Sequence, residues 1–205
     1  MLTFNNKILT VSNKGLEVEA GPTPPAPVPP FSTVQIGSTL WSAEDIQIDD
    51  NGTGIVQYNI GTVGDSGQSV TLGNTYYYTA AAARRIAAAV AEDYPGWRLP
   101  TSSDYQSLFS AVSNSLAALK STVGWDTDYQ GTNTSGFSAY GTSINNGSNV
   151  FNKGNDWYGV TYDDYAVRLR GDNTRTPSVD PVSAYDQTFG TAYFQFRLVK
   201  DAEGV

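Results

Sequence analysis

The sequence contains no cysteine and no histidine in its 205 residues. Without cysteine there can be no disulfide framework, no zinc–thiolate site and no cysteine nucleophile. Without histidine the chain lacks the commonest general base and the commonest metal ligand of proteins. We therefore expect no metal site, no cofactor and no enzyme that depends on these side chains.

Positive charge is also scarce, with 12 Lys and Arg against 20 Asp and Glu, and a net charge of −8. Because nucleic-acid binding requires a positive surface against the phosphates, we expect no nucleic-acid partner. No apolar run approaches the roughly 18 residues of a membrane span, so we expect no membrane span. Residues 1–7 do not have the charged-then-apolar layout of a signal peptide, which favours a protein that leaves the cell inside a virion over a cloned mature fragment.

Composition divides the chain into three predicted parts. Residues 1–20 hold short alternating apolar segments separated by Asn-containing turns, which predict a small β-structured piece. Such a piece is marginal alone in water, so we expect it to anchor or oligomerise the protein, for example against virion proteins. Residues 21–30 contain six of the ten prolines and predict a semi-rigid spacer. Residues 31–205 form the predicted globular domain, which is long enough to bury a core without disulfides.

Two helices are predicted in the globular part. Residues 79–92 are rich in alanine and place four apolar side chains on one stripe. A second helix begins near Ser103, whose spacing from Gln106 matches a capping box, and ends by about residue 114. The two predicted buried faces consist of Ala83, Ile86, Ala87 and Val90, and of Tyr105, Leu108, Phe109 and Val112. After residue 121 we expect short strands joined by long irregular loops, which makes the fold class α+β.

Several side chains are candidates for the core. Large aromatic side chains dominate core energetics, and a buried indole N–H can donate to a backbone carbonyl. The predicted core anchors are Trp41, Trp97 and Trp125. Arg197 lies in an apolar segment near the C-terminus and needs a carboxylate partner, for which Glu44 and Asp45 are the candidates.

Seven short motifs occur in a fixed order along the globular part. They are VQIG at 34–37 with WSAED at 41–45, GWRLP at 96–100, LKS at 119–121 with GW at 124–125, GFSA at 136–139, and FRLVKD at 196–201. Each motif is weak alone, but together, in this order and spacing, they resemble the Fibrobacter succinogenes-type major paralogous domain. That family is a branch of the C-type lectin-like fold and is found in bacterial surface proteins and in retroelement-diversified variable proteins of gut bacteria and phages.

This resemblance implies a C-type lectin-like fold, in which two helices accompany a small antiparallel sheet and long irregular loops. It also implies a fixed scaffold that carries one changeable surface near the C-terminus. In retroelement-diversified relatives, scattered positions of this stretch are rewritten by mutagenic reverse transcription. Related tail proteins assemble as trimers, so a homotrimer is a plausible assembly.

The residues between 156 and 196 have the composition of a binding surface. Tyrosine gives rigid contact area at low entropic cost, Asp and Asn give adaptable hydrogen bonds, and Arg gives forked donors. Lysine, which interfaces tend to avoid, is absent from this stretch. The predicted ligand-binding residues are Asp156, Tyr158, Tyr162, Asp163, Asp164, Tyr165, Arg168, Arg170, Asp172, Asn173, Arg175, Tyr185, Asp186, Gln187 and Tyr193. The alternative is that several of them are core residues, because a strand runs through residues 166–169.

Two other chemistries are not expected in this segment. Calcium-dependent sugar-binding relatives use a Glu-Pro-Asn or Gln-Pro-Asp loop with a Trp-Asn-Asp triplet, and neither is present. Asp163 and Asp164 could be imagined as an acid–base pair, but adjacent residues of a strand point to opposite faces. We therefore expect a binding protein and no catalytic residues.

The predicted function is recognition of a host-cell surface protein or glycan by a display protein of a phage tail or a bacterial cell surface. Residues 1–20 would anchor the protein, residues 21–30 would space it, and the globular domain would present its C-terminal segment. The alternative is a structural virion decoration protein whose loops bind nothing.

Overall fold

The structure is a computed structural model, and it describes residues 2–4, 7–12, 15–20, 27–47, 69–72, 75–142, 144–145, 150–151, 154–189 and 191–202. Over these residues the fold consists of four α-helices and small antiparallel sheets. This confirms the predicted α+β class. Among the described residues, no helix is both long and apolar enough to cross a bilayer.

The N-terminal segment folds as an antiparallel meander of three strands. The strands are β1 (Leu2–Phe4), β2 (Lys7–Ser12) and β3 (Gly15–Ala20). They coincide with the predicted alternating segments, whereas the anchoring role of this piece stays a prediction. Most of the predicted proline spacer lies outside the described residues, and residues 27–30 are in neither a helix nor a strand.

The first predicted helix is confirmed as α1 (Ala80–Asp93). The Thr79 hydroxyl caps it by accepting a hydrogen bond from the Ala82 N–H at 3.2 Å, which satisfies one of the free N–H groups of the first turn. All four residues of the predicted apolar stripe are buried.

The second helix, α2, spans Ser102–Ala111 and begins one residue before the predicted start. The predicted capping box of Ser103 and Gln106 is wrong. The box is formed by Thr101, whose hydroxyl accepts from the Asp104 N–H at 3.3 Å, and by the Asp104 carboxylate, which accepts from the Thr101 N–H at 2.7 Å. An aspartate thus closes the box at the position where Glu or Gln is usual.

Two further helices were not predicted. The short α3 (Leu116–Leu119) is capped by the Ser115 hydroxyl, and α4 (Val182–Phe189) follows Pro181 directly. Of the two, α4 bears on function because it lies inside the predicted binding segment.

The first and last strands of the globular part lie in one sheet, on either side of its central strand. It contains β4 (Thr33–Ile36), β5 (Thr39–Ser42) and β13 (Val199–Asp201) in the order β13-β5-β4. Two strand pairs are β6 (Ser69–Leu72) with β7 (Thr75–Tyr78), and β8 (Ile144–Asn145) with β9 (Val150–Phe151). The sheet that matters for the binding segment contains β10 (Asp156–Val160), β11 (Tyr165–Arg170) and β12 (Ser178–Pro181) in the order β10-β11-β12.

The β10-β11-β12 sheet contributes to two hydrophobic clusters. Trp157, Val167 and Leu169 pack in the cluster that contains α2, and Val160 and Ala166 pack in the cluster that contains α1. Successive side chains of a strand point to opposite faces, so each face of the sheet meets a different cluster. As a result every residue of β10 is buried.

The predicted core anchors are confirmed, since all three tryptophans are buried. The indole N–H of Trp125 donates to the Ala139 carbonyl at 2.8 Å. Trp157, which sequence composition had grouped with the binding segment, is also fully buried, and its indole N–H donates to Asp45 at 2.9 Å.

The partner of Arg197 is Asp45, one of the two predicted carboxylates. The Arg197 Nε lies 2.7 Å from Asp45 Oδ1, and the arginine side chain is fully buried. Its Nη1 also donates to the Phe137 carbonyl at 2.7 Å and the Ser42 carbonyl at 3.0 Å. Burial raises the pKa of the Asp45 carboxyl, while Arg197 and the Trp157 indole act in the opposite direction. This ion pair therefore joins the β5 end, the 137–138 segment and the C-terminal segment at the centre of the domain.

Candidate ligand-binding surface

The exposed aromatic side chains of the binding segment lie at the β10–β11 turn, residues 161–164, and at the start of β11. Tyr162 is 61% exposed and Tyr165 is 37% exposed. Among residues whose burial the structure describes, the other large exposed hydrophobic side chains are Val28 and Val123. Two exposed tyrosines three positions apart are typical of a surface that binds a protein or a sugar.

Helix α1 holds the backbone of this turn from one side. The Arg84 Nη1 lies 2.7 Å from Asp164 Oδ1 and donates to the Tyr162 carbonyl at 3.1 Å. Asp164 has φ +61°, in the left-handed region that Asp adopts more readily than most side chains. Its carbonyl accepts from the Val182 N–H at 2.9 Å, which links the turn to the start of α4.

Helix α2 holds the same turn from the other side. The Asp163 carboxylate accepts from the Ser102 N–H at 2.9 Å and from the Ser102 hydroxyl at 2.6 Å. The Tyr162 N–H donates to the Pro100 carbonyl at 2.8 Å. Burial alone would raise the pKa of Asp163, but the hydrogen bonds from Ser102 and Thr161 outweigh it and lower that pKa. Both aspartates therefore position the turn, and they do not converge as an acid–base pair.

A second group of predicted residues lies on the β10-β11-β12 face opposite Trp157. Cross-strand pairs place Asp156 beside Arg170, and Tyr158 beside Arg168, which in turn pairs with Ser178. The Arg168 Nη2 lies 2.7 Å from Asp156 Oδ2, and the guanidinium carbon lies 5.3 Å from the centre of the Tyr158 ring. We call Arg168 and Arg170 the arginine strip, since they occupy alternate positions of one strand and share one face.

The arginine strip has unused hydrogen-bonding capacity. Within the part of the chain that the structure describes, Arg168 donates one side-chain hydrogen bond, to Asp156, and its Nε has no partner. The Ser178 hydroxyl beside it also has no partner. Arg170 is half-exposed, and its guanidinium makes no hydrogen bond or ion pair with any described residue.

Helix α4 lies at the end of this face nearer the turn. The Tyr185 ring packs edge-on against Tyr158, with ring centres 5.6 Å apart, and its hydroxyl donates to Asp180 Oδ2 at 3.1 Å. Burial, followed by the Asp180 charge, raises the pKa of the Tyr185 phenol, so it remains a neutral donor. Asp186 and Gln187 are both exposed. The Asp186 carboxylate accepts a hydrogen bond from the Ala192 N–H at 2.9 Å.

The remaining predicted residues lie in the loop between β11 and β12. Asp172 Oδ1 accepts from the Thr174 N–H and hydroxyl at 2.9 and 2.7 Å, and its Oδ2 lies 3.4 Å from Arg175 Nε. The Asn173 amide donates to the Gln130 carbonyl at 3.2 Å. Asn173 and Arg175 are exposed, so this loop adds polar contact groups at the other end of β11.

Three predicted binding residues are buried, so the prediction that they are exposed was wrong. Asp156, Tyr158 and Tyr193 are 4%, 2% and 7% exposed. Asp156 is buried because Arg168 pairs with it, and Tyr158 because Tyr185 packs against it. Tyr193 sits beside the Tyr78–Phe194 bridge, inside the packed C-terminal segment.

Sequence reasoning missed four residues that shape this surface. Arg84 and Ser102 hold the turn from the helices, and no local pattern connects them to their partners, which are 80 and 61 positions away in the sequence. Ser178 and Asp180 lie on the same face as the arginine strip. Their alternation with Val179 predicts a strand with two polar residues on one side, and that signal was available.

Two further features bear on what the surface can do. Among the described residues there is no group of three or more acidic side chains placed to hold a metal ion. A cavity of about 560 Å³ lies between the β4–β5 turn, the end of α2 and α3, and its lining contains no charged or aromatic side chain. The turn and the arginine strip are therefore the better candidates for recognition.

Comparisons with known proteins return no match. No family model matches the sequence, and neither a curated protein nor a solved structure is significantly similar to the chain. The resemblance to the paralogous domain therefore depends on the sequence motifs alone, and its consequences for function enter below as proposals.

Proposed function

We propose that this chain is a ligand-binding display protein with a C-type lectin-like fold, which recognises a host-cell surface protein or glycan through its C-terminal segment. The observation that carries the proposal is the β10–β11 turn. It presents Tyr162 and Tyr165 to solvent while Arg84 and Ser102 fix its backbone from two helices. Binding energy is then not spent on ordering the loop, which is the advantage of a preorganised surface.

The placement of the sequence motifs supports the lectin-like part of the proposal. Trp41, Trp97, Trp125, Phe137 and Arg197 come from separate motifs, and all are buried. The closing strand β13 pairs with β5, and residue 199 also bridges to residue 98 of the GWRLP motif. The motifs thus make the scaffold, while the residues between them make the surface.

The other parts of the proposal follow the chain order. The N-terminal meander would anchor the protein on a virion or cell surface, the proline-rich stretch would space it, and a homotrimer is a plausible assembly. Binding is favoured over catalysis because Asp163 and Asp164 are each engaged by a different helix. A template repeat and a reverse-transcriptase gene beside this gene would show that the surface is diversified, and their absence would exclude it.

Adsorption to cells tests the proposal. Fluorescently labelled protein would be incubated with a panel of intact Gram-negative and Gram-positive bacteria, and bound protein measured by flow cytometry. We expect adsorption to at least one strain, and a loss of at least about tenfold in the double variant Tyr162→Ala/Tyr165→Ala, because truncating aromatic anchors is costly at interfaces. Val123→Ala is the matched control, since it removes an exposed hydrophobic side chain elsewhere.

The outcomes separate the candidate functions. Adsorption that survives in the double tyrosine variant would locate recognition outside the β10–β11 turn. No adsorption of the unmodified protein to any strain would favour the alternative, a structural virion decoration protein.

A further inference from the structure

The arginine strip is an exception to the charge of the molecule. The chain carries a net charge of −8, yet Arg168 and Arg170 stand side by side on one sheet face. One carboxylate, Asp156, approaches them as an ion pair, and it is buried against Arg168. Asp180, on the same face, accepts instead from the Tyr185 hydroxyl. The strip therefore has more positive charge and more donors than its described neighbours satisfy.

The unused donors have the geometry for a negatively charged planar group. A guanidinium presents a rigid fork of N–H groups that matches the two oxygens of a carboxylate. Arg170 is half-exposed and leaves its whole fork available among the described residues. Arg168 is held in place by Asp156 and by the Tyr158 ring, so its position is fixed before any ligand arrives.

We propose that the arginine strip binds the carboxylate of an acidic saccharide, a hexuronate or a sialate. This inference rests on the proposed function and names the ligand class for its surface. Arg170 would take the carboxylate as a bidentate partner. The exposed part of the Arg168 side chain, which is 26% accessible, would meet a neighbouring ligand oxygen.

The groups around the strip favour a saccharide over an acidic peptide. Sugar hydroxyls are donors as well as acceptors, and the Asp180 carboxylate offers acceptors on the face that carries the arginines. The half-buried Tyr185 ring packs against Tyr158, the cross-strand neighbour of Arg168, and can contact a sugar ring on the turn side of the arginines. The strip also lies on a sheet face, whereas an extended peptide gains its main-chain hydrogen bonds at a sheet edge.

The test uses polymers that differ in one chemical feature. Full-length protein would be titrated by calorimetry with polygalacturonate, with polysialic acid, with fully methyl-esterified polygalacturonate and with polyglutamate. We expect binding to at least one of the two acidic polysaccharides and none to the ester, because esterification removes the charge and keeps the sugar. Binding should weaken as salt is raised, since charge pairs near the surface are screened.

Arg170→Gln is the informative variant because it removes no hydrogen bond or ion pair of the guanidinium with a described side chain. We expect it to weaken polysaccharide binding at least about tenfold, the value of one charge-assisted hydrogen bond. Arg85→Gln is the matched control, since it removes an exposed arginine of α1, outside the predicted binding residues, and should leave binding within about twofold. Arg168 is not used, because removing it would leave Asp156 buried and unpaired.

Three results would overturn the inference. They are no binding to either acidic polysaccharide, equal binding to the ester, and polyglutamate binding that exceeds both. The same variants separate this inference from the proposed function. Suppose that cell adsorption is lost in Tyr162→Ala/Tyr165→Ala but kept in Arg170→Gln. This result would support the proposed display function and would show that adsorption does not depend on a saccharide carboxylate bound by the arginine strip.

Discussion

Lys120 has an unusual environment for a lysine. Its side chain is fully buried, its Nζ donates to the Gly171 carbonyl at 2.5 Å, and it lies 4.5 Å from the centre of the Trp125 ring. Burial lowers the pKa of Lys120 to about 8, although the charges of Asp172 and Asp156 act against the change. Lys120 thus connects the LKS motif to the end of β11, although burial disfavours its charged form.

The Lys120 environment predicts a pH dependence of stability. Between pH 8 and its ordinary pKa near 10.4, the unfolded chain holds a proton that the folded chain lacks. The free energy of unfolding should therefore rise with pH, by up to about 2 kcal/mol between pH 8 and pH 9.5. Urea unfolding of the parent and of Lys120→Met at pH 7, 8 and 9.5 measures this. Parallel pH profiles for the two proteins would contradict the buried, readily deprotonated lysine.

Substitution of Arg197 should cause a large loss of stability. Arg197→Met leaves the Asp45 carboxylate buried without its partner, which costs about 3–5 kcal/mol. Arg197→Met/Asp45→Leu should recover part of that loss, because it removes the stranded charge as well. The measurement is urea unfolding at pH 7. Arg175→Met is the control, since an exposed ion pair contributes at most about 1 kcal/mol, and a similar loss in both single variants would refute the central role of Arg197.

At the scale of elements, the β10–β11 turn depends on two helices that are distant in sequence. The contact of Asp163 with Ser102 at the start of α2 is the clearest of these links. A carboxylate at this end of a helix accepts from free N–H groups and interacts favourably with the helix dipole. The stability that this contact contributes should therefore depend on the charge of Asp163.

Asp163→Asn tests this link. The native-state pKa of Asp163 is lowered, so its carboxylate contributes stability above pH 4 that is lost as pH falls through the folded-state pKa. Because the side chain is exposed, the expected cost of the substitution at pH 7 is below about 1 kcal/mol. The difference from the parent should shrink when unfolding is measured at pH 3. A difference that stays constant from pH 7 to pH 3 would mean that the charge plays no part.

The regular elements with strong local signals were predictable from the sequence. The alanine-rich stretch became α1, and the alternating N-terminal segments became β1, β2 and β3. The Arg197 partner was narrowed to two residues because a buried arginine requires a carboxylate. Each of these predictions depends either on a sequence pattern contained in one short segment or on the need of a buried charge for a partner of opposite sign.

The strands and the helix of the predicted binding segment were harder to predict from the sequence. Strand β10 is buried on both faces, so alternation could not separate the interior Tyr158 from an exposed tyrosine. Helix α4 is only eight residues long, which is too short to show a helical period clearly. The signal that was available is Pro181 followed by apolar residues at 182, 185 and 189, because proline is common at the first positions of a helix.

Exposure of the binding surface is a property of the whole molecule. Tyr158, Tyr162 and Tyr165 are the same residue type in one short stretch. Packing in the cluster that contains α1, and against Tyr185 of α4, buries Tyr158, whereas Tyr162 and Tyr165 are exposed. The motif residues supply the core, and the exposed residues take little part in it. Stability and recognition should therefore be separable by substitution.

One combined variant tests this separation most directly. It replaces five exposed residues of the predicted binding segment by alanine, and these are Tyr162, Tyr165, Asn173, Arg175 and Gln187. Exposed substitutions change stability by about 0.5 kcal/mol or less each, so we expect Tm to stay within about 10 °C of the parent while cell adsorption is lost. Tyr158→Ala is the opposite case and should lose about 3–5 kcal/mol of stability, because it empties a buried site. A five-residue variant that unfolds, or one that folds and still adsorbs to cells like the parent, would contradict the proposed division between scaffold and recognition surface.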